Sequence, residues 1–191
     1  VILDLFSDTL FNLVLKDEFS AIIDAIRDCN GKIVTTGMGK AGIAMRKFSA
    51  TLCSLGMSSC YLHPGEASHG DLGLIGKDDI LFVASTSGKT REVIETIELA
   101  KNTNSNPILG ITSHSDSPVR ELADIVLDMG IIKEAGQIKL APTTSIIVML
   151  ALTDAIAIVA SEESGFSKEN FSYFHHSGYL GAKARNDGDI L

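Results

Sequence analysis

A chain of 191 residues with 45% apolar content is long enough for one compact domain with a sizeable core. Trp is absent and aromatic residues make up only 6%, so that core is expected to be aliphatic. The formal net charge of −8 argues against a nucleic-acid surface, although a small basic pocket can still sit in an acidic protein.

Residues 4–29 carry Leu5, Phe6, Leu10, Leu13, Phe19, Ile22, Ile23 and Ile26 at mostly helical spacing. They predict one long helix, or two with a break near Lys16-Asp17, ended by Gly31. Ile33-Val34-Thr35-Thr36 reads as a short strand, followed by Gly37-Met38-Gly39-Lys40-Ala41-Gly42 and a helix running to about Leu55. Ser59-Cys60-Tyr61-Leu62 makes a second strand, and the segment from His63 to Asp71 a polar loop or short helix. The third strand is Ile80 to Ala84, with its helix reaching about Asn102. Pro107 to Thr112 is the fourth; Ser117-Pro118 then starts a short helix, with Ser as cap and Pro in the first position. Ile125 to Asp128 is the fifth strand. Ala141-Pro142-Thr143-Thr144-Ser145 opens a long helix over 143–161, where Thr and Ser serve as caps or as a second donor set near a ligand. Ser167 starts a last short helix that ends at His175-His176-Ser177-Gly178.

Strands alternate with helices, and the strands are continuous apolar runs. That pattern calls for a parallel sheet covered on both faces. Ligands of such sheets bind beyond the carboxyl ends of the strands, so the loops after Thr36, Leu62, Ala84 and Thr112 share one functional rim. Cys29, Cys53 and Cys60 lack metal-type spacing and are read as buried thiols in a reducing compartment. Val1-Ile2-Leu3-Asp4 carries no basic leader region, and the apolar run from Ile146 to Ala160, broken by Thr153 and Asp154, reads as a core helix. A cytoplasmic protein without a membrane span is expected.

Ser85-Thr86-Ser87-Gly88-Lys89-Thr90 is the centre of the reading. It lies where the third strand turns into a helix, with unpaired N–H groups and the positive end of the helix dipole. Ser85, Ser87 and Thr90 add hydroxyl donors, and Gly88 permits close backbone approach. The stretch reads as a cradle for one phosphate group, or as a turn whose hydroxyls cap the helix. Gly37, Gly39 and Gly42 match a dinucleotide-binding spacing, but Tyr61-Leu62-His63 stands where an acidic residue would hold the ribose, so the glycines are assigned to the tight turn. Val83 occupies the position of the first P-loop glycine, which argues against a nucleotide triphosphatase. His63, Glu66, His69 and Asp71 form a polar cluster suited to acid–base work, hydrogen bonding or metal ligation, without a well-spaced ligand set.

Together these pieces resemble the sugar isomerase (SIS) domain family, and more narrowly its arabinose-5-phosphate isomerases of the Kdo pathway. The matching stretches are Gly37-Met38-Gly39-Lys40-Ala41-Gly42, His63-Pro64-Gly65-Glu66-Ala67-Ser68-His69-Gly70-Asp71-Leu72-Gly73, Ser85-Thr86-Ser87-Gly88, Lys133-Glu134-Ala135, Leu140-Ala141-Pro142-Thr143-Thr144-Ser145 and Phe174-His175. The resemblance implies a three-layer α-β-α sandwich with a five-stranded parallel sheet, with the whole chain as one SIS domain whose core spans about 31–185. It implies interconversion of D-ribulose 5-phosphate and D-arabinose 5-phosphate without metal or organic cofactor, feeding Kdo synthesis for lipopolysaccharide or capsule. It also implies a homotetramer with shared active sites, and a Kdo nucleotide as feedback ligand. By motif position the family's lysine falls on Lys40, its glutamates on Glu92 and Glu134, and its histidines on His69 and His175. Ser85, Ser87 and Thr90 hold the phosphate.

Those residue types suit an enediol reaction. Glu134 serves as base if burial raises its pKa, Lys40 stabilises the carbonyl oxygen, and His69 or His175 opens the sugar ring or shuttles a proton. The sequence departs from the family where Lys89 replaces a common acidic residue and His176-Ser177 replaces Pro-Gly. It also ends near where many members continue into paired CBS domains. Isomerisation of another sugar phosphate, such as a hexulose phosphate, and a non-catalytic sugar-phosphate sensor stay open as alternatives. The joint presence of Lys40, Glu134 and the histidines favours catalysis, and no helix-turn-helix module is evident.

Overall fold

The computed structural model describes residues 17–102 and 107–185. Helix α1 (Asp17–Arg27) precedes strand β1 (Ile33–Gly37), helix α2 (Gly39–Ser54), strand β2 (Ser59–Leu62) and the single turn α3 (Pro64–Ala67). Strand β3 (Ile80–Ala84), helix α4 (Arg91–Lys101), strand β4 (Ile108–Thr112), short helix α5 (Pro118–Leu122) and strand β5 (Ile125–Asp128) follow. Helices α6 (Thr144–Glu163), α7 (Lys168–Phe174) and α8 (Gly178–Arg185) complete the described chain.

All five strands pair in parallel, in the order β2-β1-β3-β4-β5. Strands β1, β3 and β4 are buried at every position, as central strands covered on both faces must be. Alternate residues of β3 feed opposite cores. Ile80, Phe82 and Ala84 face α1, α2 and α6, while Leu81 and Val83 face α4 and α5. Phe48 of α2 meets Phe82 edge-to-face at 5.3 Å between ring centres. The three-layer sandwich and five parallel strands expected from the sequence are therefore present.

Helix α6 is long and apolar enough to span a membrane by length and composition. Here Val148, Met149, Leu152, Ile156 and Ala160 are buried in the core with α1 and α2, at core-helix spacing. Thr153 within it is satisfied by donating to the Met149 carbonyl at 2.9 Å, and Asp154 pairs with Lys47 of α2. At the opposite end of the sheet from the rim, the buried Asp79 carboxylate accepts from the Lys32 N–H at 2.8 Å and the Gly76 N–H at 2.7 Å, and also pairs with the Lys32 ammonium. Burial pushes its pKa up, but the Lys32 ammonium and these N–H groups outweigh that, leaving it below the usual aspartate value.

Several expectations are corrected. The first helix ends at Arg27, not Gly31; Leu5, Phe6, Leu10 and Leu13, and the proposed break at Lys16, lie outside the described residues. The cysteines are not buried thiols: Cys53 is exposed on α2, and Cys29 and Cys60 are half-exposed, Cys60 because β2 is an edge strand. The chain does not stop being helical at Gly178 but forms α8. A side chain at Gly181 would overlap the His175 carbonyl, so this glycine is what lets α8 close against the end of α7.

Candidate active site

The strand order reverses between β1 and β3, so the turns that follow them diverge and open a crevice between them. Within it lies a cavity of about 310 Å³ whose walls include Met38 and Lys40 after β1, Ser85, Thr86, Ser87 and Thr90 after β3, His114 after β4, and Glu134 with Pro142 and Ile146 from the approach to α6. Three of the four rim loops expected from the sequence thus line one cavity.

The β1 turn is built by its glycines. Gly39 adopts φ +61°, a left-handed value. A Cβ at Gly42 would sit 2.7 Å from the Tyr61 hydroxyl and closer still to the Gly37 carbonyl, which that hydroxyl already engages at 2.6 Å. Arg46 stacks over the Tyr61 ring at 4.3 Å. The turn so fixed presents Lys40 in the first turn of α2, a helix without a side-chain cap. Among the described residues the Lys40 ammonium has no ion-pair or hydrogen-bond partner. A cation is electrostatically unfavourable at a helix N-terminus, and an anion in the cavity would relieve it.

The β3 turn forms the cradle. Ser85 is buried and Gly88 takes φ +62°. Thr90 is the N-cap of α4 by position but makes no capping hydrogen bond; its hydroxyl pairs with the Ser85 hydroxyl at 2.9 Å. The Ser85 hydroxyl also accepts from the Gly88 N–H at 3.1 Å, and the Ser87 hydroxyl from the Lys89 N–H at 3.2 Å. The N–H groups of Ser87 and Thr90 have no acceptor among the described residues. N–H groups without an acceptor, hydroxyl residues lining the cavity and a helix N-terminus without a side-chain cap are the chemistry that suits an anion. Lys89 does not line the cavity; its ammonium is exposed, 3.9 Å from Asp116.

Glu134 is held by the start of α6. One carboxylate oxygen accepts from the Ser145 hydroxyl; the other accepts from the Thr143 N–H at 2.8 Å, the Thr143 hydroxyl at 3.3 Å and the Ser145 N–H at 3.3 Å. This corrects two expectations. Thr143 makes no side-chain cap; the Glu134 carboxylate caps the helix instead. Partial burial does push the Glu134 pKa up, but the Ser145 and Thr143 donors outweigh it, and the net shift is downward. Ser117 likewise occupies the N-cap of α5 without capping it, donating to the His114 carbonyl at 3.2 Å.

Glu92, His69 and His175 do not join Lys40 and Glu134. Glu92 is half-buried in the first turn of α4, outside the cavity lining. His69 is exposed beyond α3. His63 of the same segment is spent locally, its Nδ1 accepting from the Gly65 N–H at 3.2 Å. His175 bonds the Ser54 hydroxyl at 2.8 Å and stacks on Phe171 with 3.8 Å between ring centres. Ser54 closes the helix that Lys40 opens, about 20 Å away at 1.5 Å rise per residue. His114 was missed in the sequence. The signal available was its place just after the fourth strand, on the rim already identified.

Residues 25–159 match the SIS domain family. The chain is 39% identical over 169 residues to arabinose 5-phosphate isomerase KdsD of Pseudomonas aeruginosa, covering 88% of this chain and 52% of that protein. It is 38% identical over 166 residues to arabinose 5-phosphate isomerase KpsF of Escherichia coli, covering 87% of this chain and 52% of that one. The chain therefore spans about half the length of these relatives. Among solved structures, Escherichia coli CFT073 c3406 in complex with arabinose 5-phosphate superposes with a TM-score of 0.84 at 32% identity, over 91% of this chain and 93% of that one. With a five-stranded parallel sheet, a hydroxyl-lined turn after β3 and a family match over most of its length, the chain belongs to the SIS domain family.

Proposed function

We propose that this chain carries the site of an aldose–ketose isomerase that interconverts D-ribulose 5-phosphate and D-arabinose 5-phosphate through an enediol, supplying precursor for Kdo in lipopolysaccharide or capsule. The observation that carries the reading is the convergence of the Ser85–Thr90 cradle, the unpaired Lys40 and the Glu134 carboxylate on one cavity. The names of the KdsD and KpsF relatives and the arabinose 5-phosphate complex of c3406 support the choice of substrate.

In this reading the phosphate sits on the hydroxyls of Ser85, Ser87 and Thr90 and on the free N–H groups at the start of α4. Glu134 removes the carbon-bound proton. Its hydrogen bonds hold it ionised and aimed, and exclusion of water by the bound sugar acts to raise its basicity. Lys40 stabilises charge on the carbonyl oxygen as the enediolate forms. Glu92, His69 and His175 act from neighbouring chains of a homotetramer. Exposed apolar residues support such an assembly: Ile131, Ile138 and Leu140, the last of them lining the cavity, and Tyr173, Phe174, Tyr179 and Leu180 on α7 and α8. A charged sugar phosphate as substrate fits a cytoplasmic enzyme.

The test is an assay of the purified chain with each pentose phosphate, beside Glu134→Gln. The intact chain interconverts them, and the variant loses about a hundredfold or more in kcat. Adding a Kdo nucleotide to the same assay tests feedback. Absence of turnover of either pentose phosphate by the intact chain overturns the reading in favour of a sensor or another sugar phosphate; full activity of Glu134→Gln removes Glu134 as the base.

A further inference from the structure

We infer that His114 is a further catalytic residue of this site, the group that exchanges a proton with the ring oxygen of the cyclic aldose. The inference rests on the isomerase reading above. His114 is the one histidine among the described residues that lines the cavity of Lys40 and Glu134. Its Nδ1 lies 3.0 Å from the Thr86 carbonyl, which can only accept, so Nδ1 carries a proton. The same carbonyl takes the Ser113 N–H at 3.0 Å and the Thr112 hydroxyl at 3.4 Å, so it is firmly placed and the imidazole with it. Nε2 has no partner among the described residues and is the nitrogen left for chemistry.

Thr86 stands between Ser85 and Ser87, so the ring is anchored to the cradle itself. A group there reaches the end of the sugar nearest the phosphate. In a pentose 5-phosphate that end is the oxygen on C4, one carbon from the esterified C5. In the furanose form this oxygen closes the ring onto C1. Opening breaks the C1–O4 bond, with its electron pair going to O4. O4 takes a proton from Nε2 of the imidazolium, and the C1 hydroxyl gives its proton to solvent or to a second base as C1=O forms. Closure reverses each step, Nε2 of the neutral ring accepting the O4 proton. Lys40 and Glu134 are then left to C1 and C2, where the enediol forms.

Ribulose 5-phosphate cannot close such a ring, and this separates the roles. The experiment compares the intact chain with His114→Ala and with His114→Asn, whose amide still donates to the Thr86 carbonyl. Both variants are expected to slow the interconversion of the two pentose phosphates about tenfold to a hundredfold. Deuterium exchange at C1 of ribulose 5-phosphate, which needs only enediol formation, keeps its wild-type rate. So does turnover of 4-deoxyarabinose 5-phosphate, which has no O4. Unchanged interconversion in both variants overturns the inference, as does recovery in His114→Asn, or a parallel fall in C1 exchange. If the intact chain shows neither interconversion nor exchange, the isomerase reading itself has failed.

Discussion

Gly88→Ala tests whether the cradle is built as described. The residue has φ +62°, where an L side chain is disfavoured by about 1–2 kcal/mol. A Cβ there would lie 2.8 Å from the Thr112 hydroxyl and closer still to the Ser117 side chain, which is buried. The clash cannot be relieved by a long flexible neighbour, so overpacking adds about 1–3 kcal/mol. The sum, about 2–5 kcal/mol, corresponds to a fall in Tm on the order of 10 °C for a domain of this size. Because the Gly88 carbonyl also accepts from the Val119 N–H at 3.2 Å, the strain separates the cradle from α5, and the KM for sugar phosphate rises as well. Ser117→Gly in the same chain removes the two closest clashing atoms but leaves the Thr112 hydroxyl and the backbone strain. It should restore only part of the overpacking loss, minus about 1 kcal/mol for its lost hydrogen bond to the His114 carbonyl. Urea unfolding of the two single variants and the double variant measures these terms. A Gly88→Ala protein within about 0.5 kcal/mol of wild type, an ordinary tolerance for surface positions, would refute the geometry.

Two further predictions separate chemistry from stability. Lys40→Ala lowers kcat by about 10²–10³ without lowering the unfolding midpoint, because the exposed ammonium has no partner among the described residues and is unfavourably placed at a helix N-terminus; steady-state kinetics and thermal unfolding on the same sample check both halves. Asp79→Ala leaves the Lys32 and Gly76 N–H groups without their acceptor and costs about 2–4 kcal/mol near neutral pH by urea unfolding. The folded pKa of Asp79 is depressed, so its contribution is full above the ordinary aspartate value and is lost as pH falls through the folded one. The gap between wild type and variant therefore narrows on the acid side; a constant gap down to the acid transition would remove the assigned role.

The fold was legible because parallel strands buried on both faces leave uninterrupted apolar runs such as Ile80 to Ala84, which no surface element imitates. The junction after β3 was legible as a place where hydroxyls and a glycine crowd the turn from strand to helix, and its residues do line the cavity. The state of Glu134 was not, since the donors that depress its pKa come from Thr143 and Ser145, brought to it by the way the chain enters α6. His114 was hidden for a similar reason. Ser113-His114-Ser115 is an ordinary polar loop by composition, and only the pairing of β4 with β3 sets it against the cradle. His175 shows the converse: a motif match located the residue, but its partner Ser54 lies at the far end of α2 from Lys40.

The carboxylate of Glu134 and the first turn of α6 depend on each other. The hydrogen bonds that aim the acid also begin the longest rod of the interior, so neither is secure alone. A molecule that starts to unravel there loses its aim before it loses its shape. On the proposal that Glu134 is the base, damage by heat or mutation at this joint would stop turnover while the rest of the sheet stays folded.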